Sequence, residues 1–199
     1  MKTIKFETEE SWAEARKGKI TGTKVKDLIS KRGTKPKAGF YDIIAERVAI
    51  PIKNENMMDR GKRLEDEAIE MFSKKTGKKV NTDLVIWQRS DDDNIAISPD
   101  GFIGKTEAVE VKCLGNGRHI EAWLTQEIPS EFEYQKLQYF VVNDDLKKLY
   151  FIFYDPQMPK DLFWVEVNRK DIAEQIKETL EMEKEALKKI SEIENSLTF

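Results

Sequence analysis

Midway along the chain the apolar residues change their spacing from the period of a helix to that of a strand. Past residue 129 the spacing changes back. Val109, Val111 and Cys113 alternate with Glu110, Lys112 and Leu114, the period-two pattern of a strand with two dissimilar faces. Helical spacing precedes this block. Glu9 to Lys17 reads as a short helix, Thr21-Gly22-Thr23 breaks it, and Lys24 to Lys31 is helical again. Phe40 to Ile50 reads as a helix ended by Pro51, and Met57 to Thr76 as a longer one stopped by Gly77.

The strand block opens with Val80 to Trp87, followed by a turn at Asp91 to Asn94. A second strand begins at Ile95 to Ser98 and is interrupted by Pro99-Asp100-Gly101. Ser130 to Val142 is again helical, with Pro129 near its first turn, and Leu149 to Tyr154 and Phe163 to Val167 are strands. Ile172, Ile176, Leu180, Leu187, Ile190 and Leu197 stripe one face of a C-terminal amphipathic helix, about residues 170–197. Helices, three strands, a helix, two strands and a helix predict an α/β domain with a central mixed β-sheet flanked by helices. The 199 residues suit a single domain.

Composition narrows the chemistry. The chain has one cysteine, Cys113, and one histidine, His119. It therefore cannot by itself build a disulfide, a Cys₄ or His₃ zinc site, or a two-histidine iron site. Metal or acid–base chemistry must lean on carboxylates, lysines and oxygen ligands, which favour Mg²⁺, Mn²⁺ or Ca²⁺. No apolar run is long enough to span a bilayer, so a soluble intracellular protein without membrane partners is expected. The net charge of −3 hides an uneven distribution. Arg16 to Lys37 carries nine basic residues and one acid, while Asp171 to Phe199 carries eight acids and four bases. The basic segment suits a polyanion or a solvated loop; the acidic tail suits the outer face of a packed helix.

A candidate site spans several segments: Glu65 on a helix, Asp100 in the strand break Ser98-Pro99-Asp100-Gly101, Glu110-Val111-Lys112 on the next strand, and Gln135 on the following helix. Glu110 and Lys112 share a strand face, and the interrupted strand can return Asp100 beside Glu110. Two carboxylates and a backbone carbonyl can hold Mg²⁺, with a lysine beside them to orient water or neutralise charge. With 37 acids and 34 bases, an acid-x-base triplet arises by chance about six times, so the triplet alone reads as readily as a solvent-facing salt pair. The composite of strand break, Glu-Val-Lys and polar helix position is more specific. Gln138 lies one turn from Gln135, and either can face the site.

Ser98-Pro99-Asp100-Gly101 followed by Glu110-Val111-Lys112-Cys113 resembles the PD-(D/E)xK nuclease signature, and in particular the bacteriophage lambda exonuclease family of viral recombination nucleases. Trp12 to Thr21 (WAEARKGKIT), Gly61 to Glu65, Phe132-x-x-Gln135 and Tyr150 to Met158 (YFIFYDPQM) are similar to further elements of that family. The family's best-known member carries a tyrosine where this chain has Phe132.

The resemblance implies a restriction-endonuclease-like core forming one nuclease domain over 1–199, with an N-terminal DNA-end-binding segment at about 1–55. It implies metal ligation by Asp100, Glu110, the Val111 carbonyl and Glu65, with two Mg²⁺ ions for which Mn²⁺ can substitute. Lys112 becomes the catalytic lysine, Glu65 and Gln135 complete the site, and Arg16, Thr23 and Ser98 hold a 5′-phosphate. The activity implied is 5′→3′ exonucleolysis of linear double-stranded DNA, leaving 3′ single-stranded tails for recombination. The implied partners are DNA ends, a single-strand annealing protein and two further copies in a homotrimer, in the cytoplasm of a bacterial host with the gene carried by a phage or prophage. An endonuclease of the same fold and a non-catalytic DNA-binding module are the rival expectations.

Three other residue types receive plainer expectations. Cys113 is a packed small hydrophobe, since a strand cysteine lacks the helix N-terminus that would lower its pKa. His119, in a loop near the site, is expected to be solvent-exposed or to contact DNA, with a general-base role as the alternative. Trp12, Trp87, Trp123 and Trp164 are core residues.

Overall fold

Leu64, Ala68, Ile69 and Phe72 recur at helical spacing and are buried along one side of α1 (Met57–Thr76). Its opposite side carries the i,i+4 pairs Arg63–Glu67 and Lys74–Glu70. Gly77 ends the helix at φ +70°, with its N–H donating to the Ser73 carbonyl at 2.9 Å; a side chain there would be strained. The computed structural model describes residues 57–197 together with Thr8, Ser11, Tyr41, Ile44 and Ala45. The helices expected at Glu9–Lys17, Lys24–Lys31 and Phe40–Ile50, and the basic Arg16–Lys37 segment, lie outside the described residues except for Ser11, Tyr41, Ile44 and Ala45, which are helical.

Four strands form the central sheet in the order β3-β4-β5-β6: β3 (Gly101–Ile103), β4 (Glu107–Lys112), β5 (Lys148–Tyr154) and β6 (Leu162–Asn168). β4 and β5 are parallel and the other two pairings antiparallel, so the sheet is mixed as the element order predicts. A parallel neighbour requires a crossover. It is made by α2 (Asn116–Thr125), a 3₁₀ turn (Ser130–Phe132) and α3 (Glu133–Val142). The long α4 (Ala173–Leu197) closes the chain and packs on α3. A separate hairpin, β1 (Trp87–Arg89) with β2 (Asp92–Ile97), also lies against α3.

Strand alternation divides the core into two layers. Leu149, Phe151 and Phe153 face α3 and α4 together with Ala108, while Tyr150, Ile152 and Tyr154 face α1 together with Val109 and Val111. A sheet covered on both faces buries near-continuous apolar strands, which explains why β5 reads Leu-Tyr-Phe-Ile-Phe-Tyr.

Three expectations are corrected. Val80–Trp87 is not a sheet strand: it contributes one bridge, Asn81 to Phe102, and pairing begins only at Trp87. Leu84 is 98% exposed, so its apolar character does not serve the core of this chain. The turn falls at Ser90–Asp91, ahead of the expected Asp91–Asn94, and Asp92–Asn94 belong to β2. Finally, Gly115–His119 is no loop, because α2 starts at Asn116 and inserts Gly117, His119 and Ala122 into the interior.

Candidate active site

The strand break and β4 meet where the sequence pattern places them. Asp100 precedes β3, whose Gly101 pairs with Val109, so Asp100 lies beside β4. Its Oδ2 accepts the backbone N–H of Val111 at 2.7 Å. The glycine after Asp100 has a steric cause. A Cβ on Gly101 would stand 2.5 Å from Val80 Cγ1 and 3.3 Å from the Asn81 carbonyl oxygen, so no larger residue fits while the Asn81–Phe102 bridge is made.

Glu110 points from β4 into the α3 layer and is only 1% exposed. The solvent-facing salt pair is therefore excluded. A buried carboxylate needs partners, and Glu110 has three. Lys112 Nζ lies 2.6 Å from Oε1, Gln135 Nε2 donates to Oε1 at 2.6 Å, and the Tyr139 hydroxyl donates to Oε2 at 2.5 Å. Lys112 also sits over the Phe132 ring, 5.0 Å from its centroid, so Phe132 supplies an aromatic face to the lysine. The choice between the two glutamines resolves by geometry: Gln138 Nε2 reaches the Ala96 carbonyl at 3.4 Å, on the side of β2.

Electrostatics set Asp100 apart from ordinary carboxyls. Burial, then the negative charge of Glu110, push its pKa up to about 7 against the single hydrogen bond from Val111; Glu65 adds to the rise and Lys112 opposes it. Glu65 thus lies within electrostatic reach of Asp100. Both line a cleft of about 770 Å³ with Ser98 and the Thr82–Ile86 segment. Ser98 is exposed there, while Arg16 and Thr23 lie outside the described residues.

The donor set fits a hard divalent cation. All candidate ligands are oxygens, and the crowded carboxylates carry negative charge that Lys112 partly offsets. Among the described residues no group of three His, Cys, Asp or Glu side chains converges on one point. Mg²⁺ in general takes one or two carboxylates and retains waters.

Residues 11–144 match the YqaJ-like viral recombinase domain, a span covering more than half of the chain and every candidate residue named above. The chain belongs to this family. The YqaJ-like viral recombinase domain is the family the lambda exonuclease resemblance points to. Two solved structures are similar to this YqaJ-like chain along nearly its whole length. The crystal structure of LHK-Exo in complex with dAMP shares 26% identity, covers 94% of this chain and 97% of its own, and superposes with a TM-score of 0.59. That of the alkaline exonuclease LHK-Exo from Laribacter hongkongensis shares 25% identity, covers 92% and 97%, and gives a TM-score of 0.55. The fold is accordingly restriction-endonuclease-like. No curated protein sequence matches the chain significantly.

The remaining expectations divide. Cys113 is half-buried and packs with the α1-layer cluster, as a small hydrophobe does. His119 is neither exposed nor in a loop. It is 1% exposed, its Nε2 lies 2.7 Å from the Lys160 carbonyl, and its ring meets Phe163 edge-on. Trp87 and Trp164 pack against the core clusters, Trp123 is exposed, and Trp12 lies outside the described residues. Sequence reasoning missed Tyr139. Its signal was position: it follows Gln135 by four residues and therefore shares its helix face.

Proposed function

We propose that this chain is a Mg²⁺-dependent exonuclease that degrades one strand of linear double-stranded DNA from a 5′-phosphorylated end, leaving 3′ single-stranded tails for recombination by strand annealing. One observation carries the reading: a fully buried glutamate, Glu110, held by Lys112 and Gln135 within the same site as Asp100. A strand of structural purpose would place valine at such a position. Membership of a viral recombinase family supports the reading, as does the likeness to an alkaline exonuclease solved with dAMP, a mononucleotide of DNA.

Asp100, Glu110 and the Val111 carbonyl would hold Mg²⁺, with Glu65 at the same cleft and a second ion expected; Mn²⁺ would substitute. When bound, the ion supplies Lewis-acid stabilisation of the phosphate and lowers the pKa of water. The protein residues do the rest. Lys112, released from full pairing with Glu110, neutralises charge gathering on the phosphate or orients the attacking water. Gln135 keeps Glu110 turned toward the site. Asp100 anchors the strand break to β4 through Val111, which fixes the spacing of the two carboxylates. Ser98, with Arg16 and Thr23, would receive the terminal 5′-phosphate, and the basic Arg16–Lys37 segment would follow the DNA backbone. A homotrimeric ring around DNA, an annealing partner and a bacterial cytoplasmic setting belong to the same proposal. Among the described residues no helix is long and apolar enough to cross a membrane.

The test is a comparison of substrates. With Mg²⁺, 5′-phosphorylated linear duplex is expected to be degraded to mononucleotides while closed circular DNA survives. Cutting of the circle would replace this reading with an endonuclease, and product from neither would replace it with a binding module.

A further inference from the structure

Tyr139 places a buried hydroxyl beside Glu110 in the layer between β4 and α3. Its ring is fully buried within the core cluster that also holds Ala108 and Phe151, and Trp87 of β1 meets it edge-on at 6.4 Å between centroids. A phenylalanine would fill that space without a hydroxyl to desolvate. The hydroxyl is not idle: it donates to Glu110 Oε2 and lies 3.4 Å from the Val109 carbonyl. Gln135, one helical turn earlier on the same face, donates to the other carboxylate oxygen.

We propose that Tyr139 is a positioning residue for the cation site, its hydroxyl fixing the rotation of the Glu110 carboxylate so that the same edge always faces Asp100 and Lys112. The inference rests on the nuclease reading above and adds to it a residue outside the signature motifs. Two neutral donors from α3, one on each oxygen, pin the carboxylate without cancelling its charge. Lys112 does offset that charge, but its side chain is partly exposed and comes from a flexible stem, so it cannot set the orientation. The negative charge of Glu110 therefore stays available to a divalent ion in one preset direction. Partners of metal ligands act in this way in general, and their loss weakens metal binding while sparing the ligands themselves.

Tyr139→Phe keeps the ring and its packing and removes only the donor. Calorimetric titration of the DNA-free protein with Mn²⁺ reads the effect without any turnover. The variant is expected to bind Mn²⁺ about 10- to 100-fold more weakly than the parent protein. Its cleavage is expected to need correspondingly more Mg²⁺, with kcat recovering as Mg²⁺ approaches saturation. A merely structural tyrosine would lower Tm and leave the Mg²⁺ requirement where it was. Mn²⁺ affinity within twofold of the parent would overturn the inference and leave the nuclease reading standing. No Mn²⁺ binding by the parent protein would overturn both. Should the phenylalanine variant fail to fold, 4-fluorophenylalanine incorporated at position 139, which keeps the ring's shape and cannot donate, gives the same two outcomes.

Discussion

The backbone N–H of Val111 donates to the Asp100 carboxylate across 2.7 Å, tying the strand break to the middle of the sheet. It holds the Asp100 pKa down, and it loses to burial and to the Glu110 charge. The folded chain therefore holds a carboxyl that titrates near 7, against an ordinary value of 3.8.

Asp100→Asn follows from that imbalance. Between pH 3.8 and about 7 the folded state keeps a proton the unfolded state has released, so stability declines as pH rises through this window. Asparagine retains an acceptor for Val111 and carries no charge. The variant should be more stable than the parent at pH 8 without divalent ions by on the order of a few kcal/mol, and so melt at a higher temperature, and the advantage should shrink toward pH 5. Cleavage should fall by about two orders of magnitude or more. Thermal melts at the two pH values check the first part, and a destabilised asparagine variant at pH 8 would contradict it.

His119 contributes with the opposite sign. Burial holds its imidazole below the usual value of 6.5, and its Nδ1 meets no hydrogen-bond partner among the described residues. The folded state resists protonation, so this contribution is complete above pH 6.5 and is lost as pH falls through the depressed folded value. Because Asp100 and His119 oppose each other, the parent's pH profile hides both. Subtracting the urea-unfolding free energies of His119→Gln from those of the parent between pH 7.5 and 5 should expose a loss confined to the parent on the acid side. A pH-independent difference would show that the imidazole takes up its proton equally in the folded and unfolded states, so that burial does not depress it.

Arg169 closes the far end of α3. Its guanidinium donates to the carbonyls of Leu146 (2.8 Å), Phe140 (2.5 Å) and Asn143 (2.6 Å) and stacks on the Phe140 ring. These include carbonyls at the end of the helix that have no intrahelical donor. Arg169→Met preserves the stem and removes the donors, and should cost about 2–3 kcal/mol by urea unfolding. A change below about 0.5 kcal/mol would mean that water satisfies these carbonyls equally well.

What could be read without coordinates depended on how much of each element is decided locally. Met57–Thr76 was legible to the residue because an apolar stripe and a stop glycine both act within a few turns. Glu110 and Lys112 were legible because polar residues stand out in a strand that is otherwise apolar. Val80–Trp87 misled because Leu84 and Ile86 have strand-like character but face the cleft side and solvent, which local pattern cannot show. Gly115 and Gly117 disguised a helix whose formation is driven by packing of His119 and Ala122 on the sheet. Tyr139 was hidden for a converse reason. In the run Tyr-Phe-Val-Val an aromatic reads as core, and only its juxtaposition with Glu110, 29 residues away, reveals the use of its hydroxyl.

If the buried Glu110–Lys112 pair beside Asp100 is a hydrolytic centre, losing the lysine must cost cleavage. Lys112→Ala removes the cation paired with Glu110 and leaves every carboxylate in place. On 5′-phosphorylated linear duplex with Mg²⁺, the parent should release mononucleotides, and the variant should release them about 100- to 10,000-fold more slowly. Binding of the same DNA in Ca²⁺ should be unchanged. Cleavage by the variant at the parent's rate would contradict the assignment of this site.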